Sequence, residues 1–200
     1  MMEFLAKPEI SNSRNSGLTS FKSFGDLTHH RRYSSSMPAL RIRPLRVDEQ
    51  DLLVRATLGN MNWIGERFTW NDVVVRPEFS HYTRLVSNRG DYGFVAERNQ
   101  ISIGVVWLLF LPSTQPGYGF IDESTPELGI WVDESERGRG IGRELLQSAL
   151  QATTERDITR VSLSVEVGNR ARQLYASESF IDVEGREEDG VMLWTAQSPQ

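Results

Sequence analysis

The sequence contains no cysteine among its 200 residues. This absence excludes disulfide bonds, a thiolate nucleophile and metal sites built from cysteine ligands. Such a composition suits a chain that works in a reducing interior, so we expect a cytoplasmic protein. Its chemistry must rely on other side chains, and we expect no metal site.

The sequence also lacks a surplus of positive charge and a long apolar segment. Its 22 Lys and Arg residues are outnumbered by 27 Asp and Glu residues, which gives a formal net charge of −5. Nucleic-acid-binding domains usually carry a basic surplus, so the charge argues against a nucleic-acid partner. No apolar run reaches the roughly 18 residues that a membrane-spanning helix requires. We therefore expect no association with a membrane.

Residues 1–36 differ in composition from the remainder of the chain. They contain eight serines and show neither the apolar period of a strand nor that of a helix. We predict a disordered N-terminal extension over residues 1–36, followed by one packed domain over residues 37–200. A transit peptide and a start of translation at Met37 are the alternatives that the sequence leaves open.

From residue 39 onward, strand and helix patterns follow one another. Strands are predicted over residues 39–45, 92–97, 101–110, 125–132, 160–167, 180–183 and 191–195. Helices are predicted from a cap at Asp48 to residue 58, and over residues 77–87, 141–155 and 169–178. The segment 59–76 is predicted to be irregular, and the Pro- and Gly-rich segment 112–123 a long loop suited to a lid or a specificity element. The pattern predicts a mixed α/β fold.

A glycine-rich turn lies between a predicted strand and a predicted helix. Residues 137–142 read Arg-Gly-Arg-Gly-Ile-Gly. The first backbone N–H groups of a helix lack intrahelical partners and lie at the positive end of its dipole, so they bind phosphate oxygens. Glycines let the backbone approach a ligand closely, and three arginines add local positive charge. The pattern predicts a phosphate-binding loop, and the alternative is a turn that only joins strand to helix.

Two common phosphate-binding motifs do not match this loop. A P-loop requires a lysine and then a serine or threonine after its last glycine, whereas Gly142 is followed by Arg143 and Glu144. A dinucleotide-binding fingerprint requires G-x-G-x-x-G, whereas the spacing here is G-x-G-x-G and Leu145 stands where a further glycine is wanted. Both of these classes are therefore disfavoured.

The hexapeptide instead resembles the [RQ]-x-x-G-x-[GA] loop of the Gcn5-related N-acetyltransferases (GNATs). Arg137, Gly140 and Gly142 occupy its three defining positions. Residues 161–175 resemble the next strand and helix of that family, and the predicted order of strands and helices is the family's order. One departure is Ser179 before a phenylalanine, where the family has glycine, and this puts the tightness of that turn in question.

The resemblance implies a fold, a cofactor and a reaction. The fold would be a GNAT-like mixed α/β fold, with a largely antiparallel sheet of six to seven strands, about four flanking helices and a splayed parallel strand pair that holds acetyl-CoA. The reaction would transfer the acetyl group directly to a primary amine of a small molecule or peptide acceptor. The alternative is a non-catalytic acyl-CoA-binding regulatory module. The oligomeric state, a homodimer included, stays open.

Acetyl transfer to an amine requires a base for the amine and an acid for the leaving thiolate. Glu127, on the strand that enters the loop, is the candidate general base, with Asp122, Glu123 and His81 as rivals. The alternative is that Glu127 is a solvated strand residue. Tyr175 stands where the resembling family places its general acid, and the alternative for this tyrosine is packing in the core.

The expected cofactor site combines loop amides with residues on either side of them. Family members polarise the thioester carbonyl with a backbone N–H at a strand irregularity, which lies near Val132 here. Asn169 would bond the cofactor, cap its helix or do both. The arginines would otherwise pair with Glu136 and Glu144. The expected cofactor residues are Trp131, Val132, Arg137, Gly138, Arg139, Gly140, Ile141, Gly142, Arg143 and Asn169. The aromatic residues expected to line an acceptor cleft are Trp63, Phe68, Trp70 and Tyr82.

Overall fold

In the computed structural model the described residues are 38–196, so the predicted N-terminal extension lies outside them. Seven strands form one sheet. In chain order they are β1 (Arg41–Pro44), β2 (Tyr92–Arg98), β3 (Ile101–Leu109), β4 (Glu127–Val132), β5 (Arg160–Ser164), β6 (Ile181–Asp182) and β7 (Val191–Thr195). Across the sheet their order is β1-β2-β3-β4-β5-β7-β6. The pair β4 and β5 is parallel and the other five neighbouring pairs are antiparallel, which confirms the predicted mixed sheet.

Helices cover both faces of this sheet. They are α1 (Gln50–Met61), α2 (Trp70–Val75), α3 (Pro77–Ser80), α4 (Ile141–Thr154) and α5 (Ala171–Ser177). Alternate residues of β3 point to opposite faces. Val106 and Leu108 pack in one buried cluster with Leu145 of α4, while Val105 pairs with Leu53 of α1 in a second cluster. β3 is therefore a central strand, buried on both faces, as its apolar run predicts.

The predicted cap of the first helix is wrong. α1 begins after Glu49, whose side chain makes no capping bond. The Glu49 carboxylate is held instead by Arg43 of β1 at 2.6 Å, while Asp48 pairs with Arg46 at 3.2 Å. The residue before this helix is thus held by an ion pair to another element, which local cap preference does not describe.

The segment between α1 and β2 differs most from the sequence-based expectation. Residues 59–76 were expected to be irregular, yet they contain α2, which Thr69 and Asp72 begin with a reciprocal capping box. The helix predicted over residues 77–87 ends at Ser80, and a short 3₁₀ turn, His81–Thr83, follows. His81 Nδ1 bonds the Pro77 carbonyl at 2.9 Å, and such side-chain bonds to the backbone compete with helix propagation.

Candidate active site

A cleft of about 1310 Å³ opens where β4 and β5 separate. The two strands share one register pair, Glu127 with Ser162. β4 continues to Val132 on one side of the cleft, whereas β5 ends at Ser164 on the other. The expected irregularity near Val132 is wrong, because β4 pairs with β3 in unbroken register over its whole length. The splay arises from the early divergence of β5, and it leaves strand-edge N–H and C=O groups available to a ligand.

The glycine-rich loop forms one end of this cleft. Gly138 and Gly140 have φ values of +75° and +85°, in the left-handed region that glycine adopts most readily. A Cβ built on either glycine would meet no atom within 4 Å, so the space beside the loop is open. The amides of Gly138, Gly140, Ile141 and Gly142 have no hydrogen-bond acceptor within residues 38–196. These unpaired donors, at the positive end of α4, fit the diphosphate of a coenzyme A.

The arginines around the loop differ in their environments. Arg139 pairs with Glu136 at 3.3 Å and does not line the cleft. Arg143 lines the cleft and binds Glu178 at the end of α5, rather than the expected Glu144. Ion pairs within the protein therefore hold both guanidinium groups. The backbone amides remain available to an anion, as does the terminal part of the Arg137 guanidinium group, which lines the cleft and forms no ion pair in the described part of the chain.

The end of β4 holds two of the expected cofactor residues. The carbonyl of Val132 accepts a hydrogen bond from Nε of Arg137 at 3.0 Å. The ring of Trp131 is turned towards α1, where it packs against Gly59, and the Arg55 guanidinium carbon lies 5.0 Å from the ring centroid. Trp131 is thus a core residue through its side chain, and its backbone is the part that can serve a ligand in the cleft.

Asn169 lines the cleft at the start of α5. Its Oδ1 accepts a hydrogen bond from the backbone N–H of Ala171 at 3.0 Å. The Nδ2 group of the same side chain has no partner in the described part of the chain. The N-cap position of α5 is Arg170, one residue later than expected, so Asn169 bonds the first N–H of the helix from outside it. It can donate to a ligand at the same time.

Tyr175 lies on α5 with its side chain in the cleft wall, 7% exposed. Its ring packs against Phe180 at a centroid distance of 5.9 Å. Its hydroxyl has no hydrogen-bond partner among residues 38–196. Burial raises the pKa of the phenol above its ordinary value, so the group keeps its proton at neutral pH. Tyr175 belongs to the core and also lines the cleft.

The turn after α5 keeps its tight geometry although it lacks the family's glycine. Ser179 adopts a φ of +71°. The N–H of Phe180 bonds the carbonyl of Tyr175 at 3.1 Å, and the N–H of Ser179 bonds that of Ala176 at 3.2 Å, which is the pattern of a Schellman motif. The apolar contact that accompanies this motif joins Tyr175 to Phe180. The turn thus fixes the position of the tyrosine ring.

Glu127 is the buried carboxylate of the cleft, and its residue is 5% exposed. Oε1 accepts hydrogen bonds from the hydroxyl of Tyr82 at 2.7 Å and from the N–H of Gly119 at 3.0 Å. Oε2 is buried and has no partner in the described residues. Burial raises the pKa of the Glu127 carboxyl to about 7, against the opposing effect of both hydrogen bonds and of Arg186. The alternative prediction, that Glu127 is a solvated strand residue, is therefore wrong.

The rival bases lie outside the cleft lining. Asp122 pairs with Arg160 at 2.8 Å. Glu123 accepts a hydrogen bond from the hydroxyl of Ser113, and His81 is buried beside its own helix. Among the described residues, the glutamates that line the cleft are Glu127, Glu136 and Glu166. Glu136 is bound to Arg139 of the loop region, whereas Glu127 and Glu166 are bound to no arginine of that region. Glu127 is the more buried of the two.

The loop 112–123 covers Glu127. Gly117 lies so close that a Cβ there would overlap Oε2 of Glu127 and the hydroxyl of Tyr82. The next residue, Tyr118, stacks its ring on Tyr82 with a centroid distance of 6.4 Å and an interplanar angle of 6°. The loop therefore lies over the carboxylate. Its role as a lid or a specificity element stays a prediction.

Aromatic side chains form part of the lining of the cleft. Trp63, Phe68 and Tyr82 line it as expected, whereas Trp70 is 45% exposed on α2 and does not. Sequence reasoning missed Glu166, which accepts a hydrogen bond from Nε1 of Trp63. No local motif marks that glutamate, because the residues it joins are about a hundred positions apart.

Two further properties concern the described part of the chain alone. Residues 38–196 contain no group of three or more His, Asp or Glu side chains arranged to hold a metal ion. In the same range, each helix is too short or too polar to cross a membrane.

Comparisons with known proteins bear on this site and fold. The model of the acetyltransferase (GNAT) family matches residues 56–180. A GNAT-family acetyltransferase from Staphylococcus aureus Mu50 is 17% identical, with a TM-score of 0.59 over 78% of this chain and 99% of that one. The PaiA N-acetyltransferase of Thermoplasma acidophilum, solved with coenzyme A, is 16% identical, with a TM-score of 0.58 over 79% and 99%. A Ralstonia eutropha member is 21% identical, with a TM-score of 0.58 over 73% and 95%. Comparison with curated protein sequences found no significant match.

Proposed function

Because the chain belongs to the GNAT acetyltransferase family, we propose that it transfers the acetyl group of acetyl-CoA directly to a primary amine. The acceptor is a small molecule or a peptide N-terminus. The observation that carries this proposal is the buried Glu127 carboxylate, with a pKa near 7, in the same cleft as the unpaired amides of the glycine-rich loop. A base and a phosphate-binding loop in one cleft suit a reaction between an amine and a coenzyme A thioester.

Three groups of this chain would hold the cofactor. The amides of Gly138, Gly140, Ile141 and Gly142 donate to the diphosphate. Nδ2 of Asn169 donates to the pantetheine arm, and the unpaired edge of β4 bonds the pantetheine amides. The bound thioester supplies an activated acetyl group. Support for this assignment also comes from the similar Thermoplasma acidophilum fold, which holds coenzyme A.

The base acts first. An aliphatic ammonium group has a pKa near 10, so it is mostly protonated at neutral pH and needs a proton acceptor. Oε2 of Glu127 takes this proton, directly or through one water molecule, after the segment at Gly117 moves aside. The free amine nitrogen then attacks the carbonyl carbon of the thioester. The new C–N bond forms as the C–S bond breaks, and the nitrogen releases its second proton to water, which leaves a neutral amide.

The acid completes the reaction. The leaving sulfur carries the electron pair of the broken C–S bond and needs a proton. Tyr175 is protonated at neutral pH, and its hydroxyl has no competing partner within the described residues, so it can donate this proton. The chain has no cysteine, so the acetyl group does not pass through a cysteinyl intermediate.

An acceptor screen tests this proposal. Release of the free thiol from acetyl-CoA is followed across aliphatic amines, amino acids and peptides, with the full chain at pH 8. We expect at least one amine to give turnover that Glu127→Gln and Tyr175→Phe abolish, while calorimetry finds unchanged binding of coenzyme A. Glu123→Gln, outside the cleft, is the matched control and should keep full turnover. Binding of coenzyme A without turnover on any amine would instead favour the regulatory module, and absence of binding would exclude both.

A further inference from the structure

We propose that Tyr82 is a positioning residue, which holds and tunes the Glu127 carboxylate through its hydroxyl group. The inference rests on the proposed role of Glu127 as the base. Sequence analysis placed Tyr82 only among the aromatic residues of the acceptor cleft. The hydrogen bonds around its hydroxyl give it a more specific role.

The hydroxyl of Tyr82 has two partners with fixed roles. It accepts a hydrogen bond from the backbone N–H of Tyr118 at 2.8 Å. Because an N–H can only donate, the Tyr82 hydrogen is left to point at the carboxylate, and it donates to Oε1 of Glu127 at 2.7 Å. A hydrogen bond to a carboxylate is among the stronger ones in proteins. The direction of this bond is thus set by the loop that covers the site.

The same arrangement selects one carboxylate oxygen for chemistry. Oε1 is occupied twice, by Tyr82 and by the N–H of Gly119 at 3.0 Å. Oε2 has no partner among residues 38–196 and lies beside Gly117, on the side where the loop would open. The two hydrogen bonds hold Oε1 in place, so Oε2 is the oxygen that keeps its free lone pairs for a substrate proton.

The Tyr82 ring itself is held firmly. It lies in the 3₁₀ turn His81–Thr83 and is buried with Trp107 and Leu109. The ring of His81 packs against it at 4.1 Å between centroids. Tyr118 stacks on it from the loop. A rigid ring can impose an orientation on the carboxylate, which a solvent-exposed hydroxyl cannot do.

The groups around Glu127 determine how the loss of the Tyr82 hydrogen bond should change the pKa of the Glu127 carboxyl group. Tyr82, Tyr118 and Arg186 are the titratable groups that interact with the carboxyl group. Burial lowers the pKa of His81, whose ring packs against Tyr82, so the neutral form of His81 is favoured. Tyr82 itself stays neutral, since burial and the nearby carboxylate raise the pKa of its phenol. Removal of its hydroxyl leaves only the Gly119 N–H and Arg186 to favour the ionised carboxylate, so the pKa of Glu127 should rise.

Tyr82→Phe provides the test, because it removes the hydroxyl and keeps the ring. Two readouts are used on the full chain: the pH profile of kcat/KM with the best amine from the screen, and a carbon-13 NMR titration of the Glu127 carboxyl, assigned from Glu127→Gln. We expect both midpoints to rise by about one pH unit. Activity at pH 7 should fall about fivefold from protonation of the base alone. KM for acetyl-CoA should not change, since Tyr82 is not among the groups assigned to hold the cofactor.

Tyr92→Phe is the matched control. Its hydroxyl bonds Oγ1 of Thr153 at 2.7 Å, outside the cleft lining, so its loss should move neither midpoint. An NMR midpoint for Glu127 that is the same in Tyr82→Phe and the unmodified protein would overturn the inference. The NMR titration needs no turnover, so it separates this inference from the proposed function. Full turnover by Glu127→Gln would overturn the proposed base, whatever the titration shows.

Discussion

Glu127→Gln is expected to change the free energy of unfolding, relative to the unmodified protein, more favourably at alkaline pH than at acidic pH. The same substitution should abolish turnover. Burial raises the pKa of the carboxyl from its ordinary 4.5 to about 7. The folded state therefore holds this proton more tightly than the unfolded state does. The stability that the protonated carboxyl contributes is fully present below pH 4.5 and is lost as pH rises through about 7.

The size of this effect follows from the same two values. A rise in pKa from 4.5 to about 7 corresponds to an ionisation penalty of about 3 kcal/mol once the carboxyl is fully charged. Glutamine carries no such penalty. Its carbonyl oxygen can still accept from Tyr82 and Gly119, but its NH₂ group replaces Oε2 and lacks a partner, at a cost of about 1–3 kcal/mol at every pH. Because this cost is the same at every pH, it cancels when the change in the free energy of unfolding is compared between two pH values.

The assay is urea denaturation of both proteins at pH 5 and pH 8. The free energy of unfolding of Glu127→Gln, minus that of the unmodified protein, should increase by about 2–3 kcal/mol between the two pH values. The exposed Glu123 has a lowered pKa and is ionised throughout this range, so Glu123→Gln should show no such increase. If the difference between Glu127→Gln and the unmodified protein were the same at both pH values, the buried carboxyl would not have a raised pKa and the reasoning would fail.

Two further substitutions test the glycine-rich loop and the turn after α5. Gly140→Ala should weaken coenzyme A binding at least about tenfold in calorimetry, because its methyl group enters the open space beside unpaired amides. Gly185→Ala, at a similar positive φ but outside that cleft, has the same backbone strain and should bind normally. Ser179→Gly should raise the free energy of unfolding by about 0.5–1 kcal/mol in thermal denaturation, because serine is strained at a φ of +71°. No gain in stability for Ser179→Gly would contradict that strain.

Much of the fold was predictable where one physical signal dominates. β3 is apolar throughout because it is covered on both faces, and α4 shows a single apolar face towards the sheet. The positions of the glycine-rich turn and of Glu127 were also predictable, because the turn lies between β4 and α4 and Glu127 begins β4. In these segments local pattern and tertiary packing favour the same conformation.

The rest depends on contacts that no local pattern describes. α1 begins where Arg43 of β1 holds Glu49, and the turn His81–Thr83 contains a histidine whose side chain bonds the Pro77 carbonyl. Tyr82 and Glu166 reach the cleft through such irregular segments, from positions far apart in the sequence. The splay of the strand pair likewise arises from the early end of β5 and not from an irregularity in β4.

The most direct test is an NMR titration of the nitrogen-15-labelled full chain with coenzyme A. The amide signals of Gly138, Gly140, Ile141 and Gly142 should shift downfield together and saturate with one ligand per chain, because these N–H groups gain charged acceptors. The amide signal of Gly185, outside the cleft, should stay in place. Saturable binding that leaves the loop amides unmoved would contradict their role in holding the diphosphate.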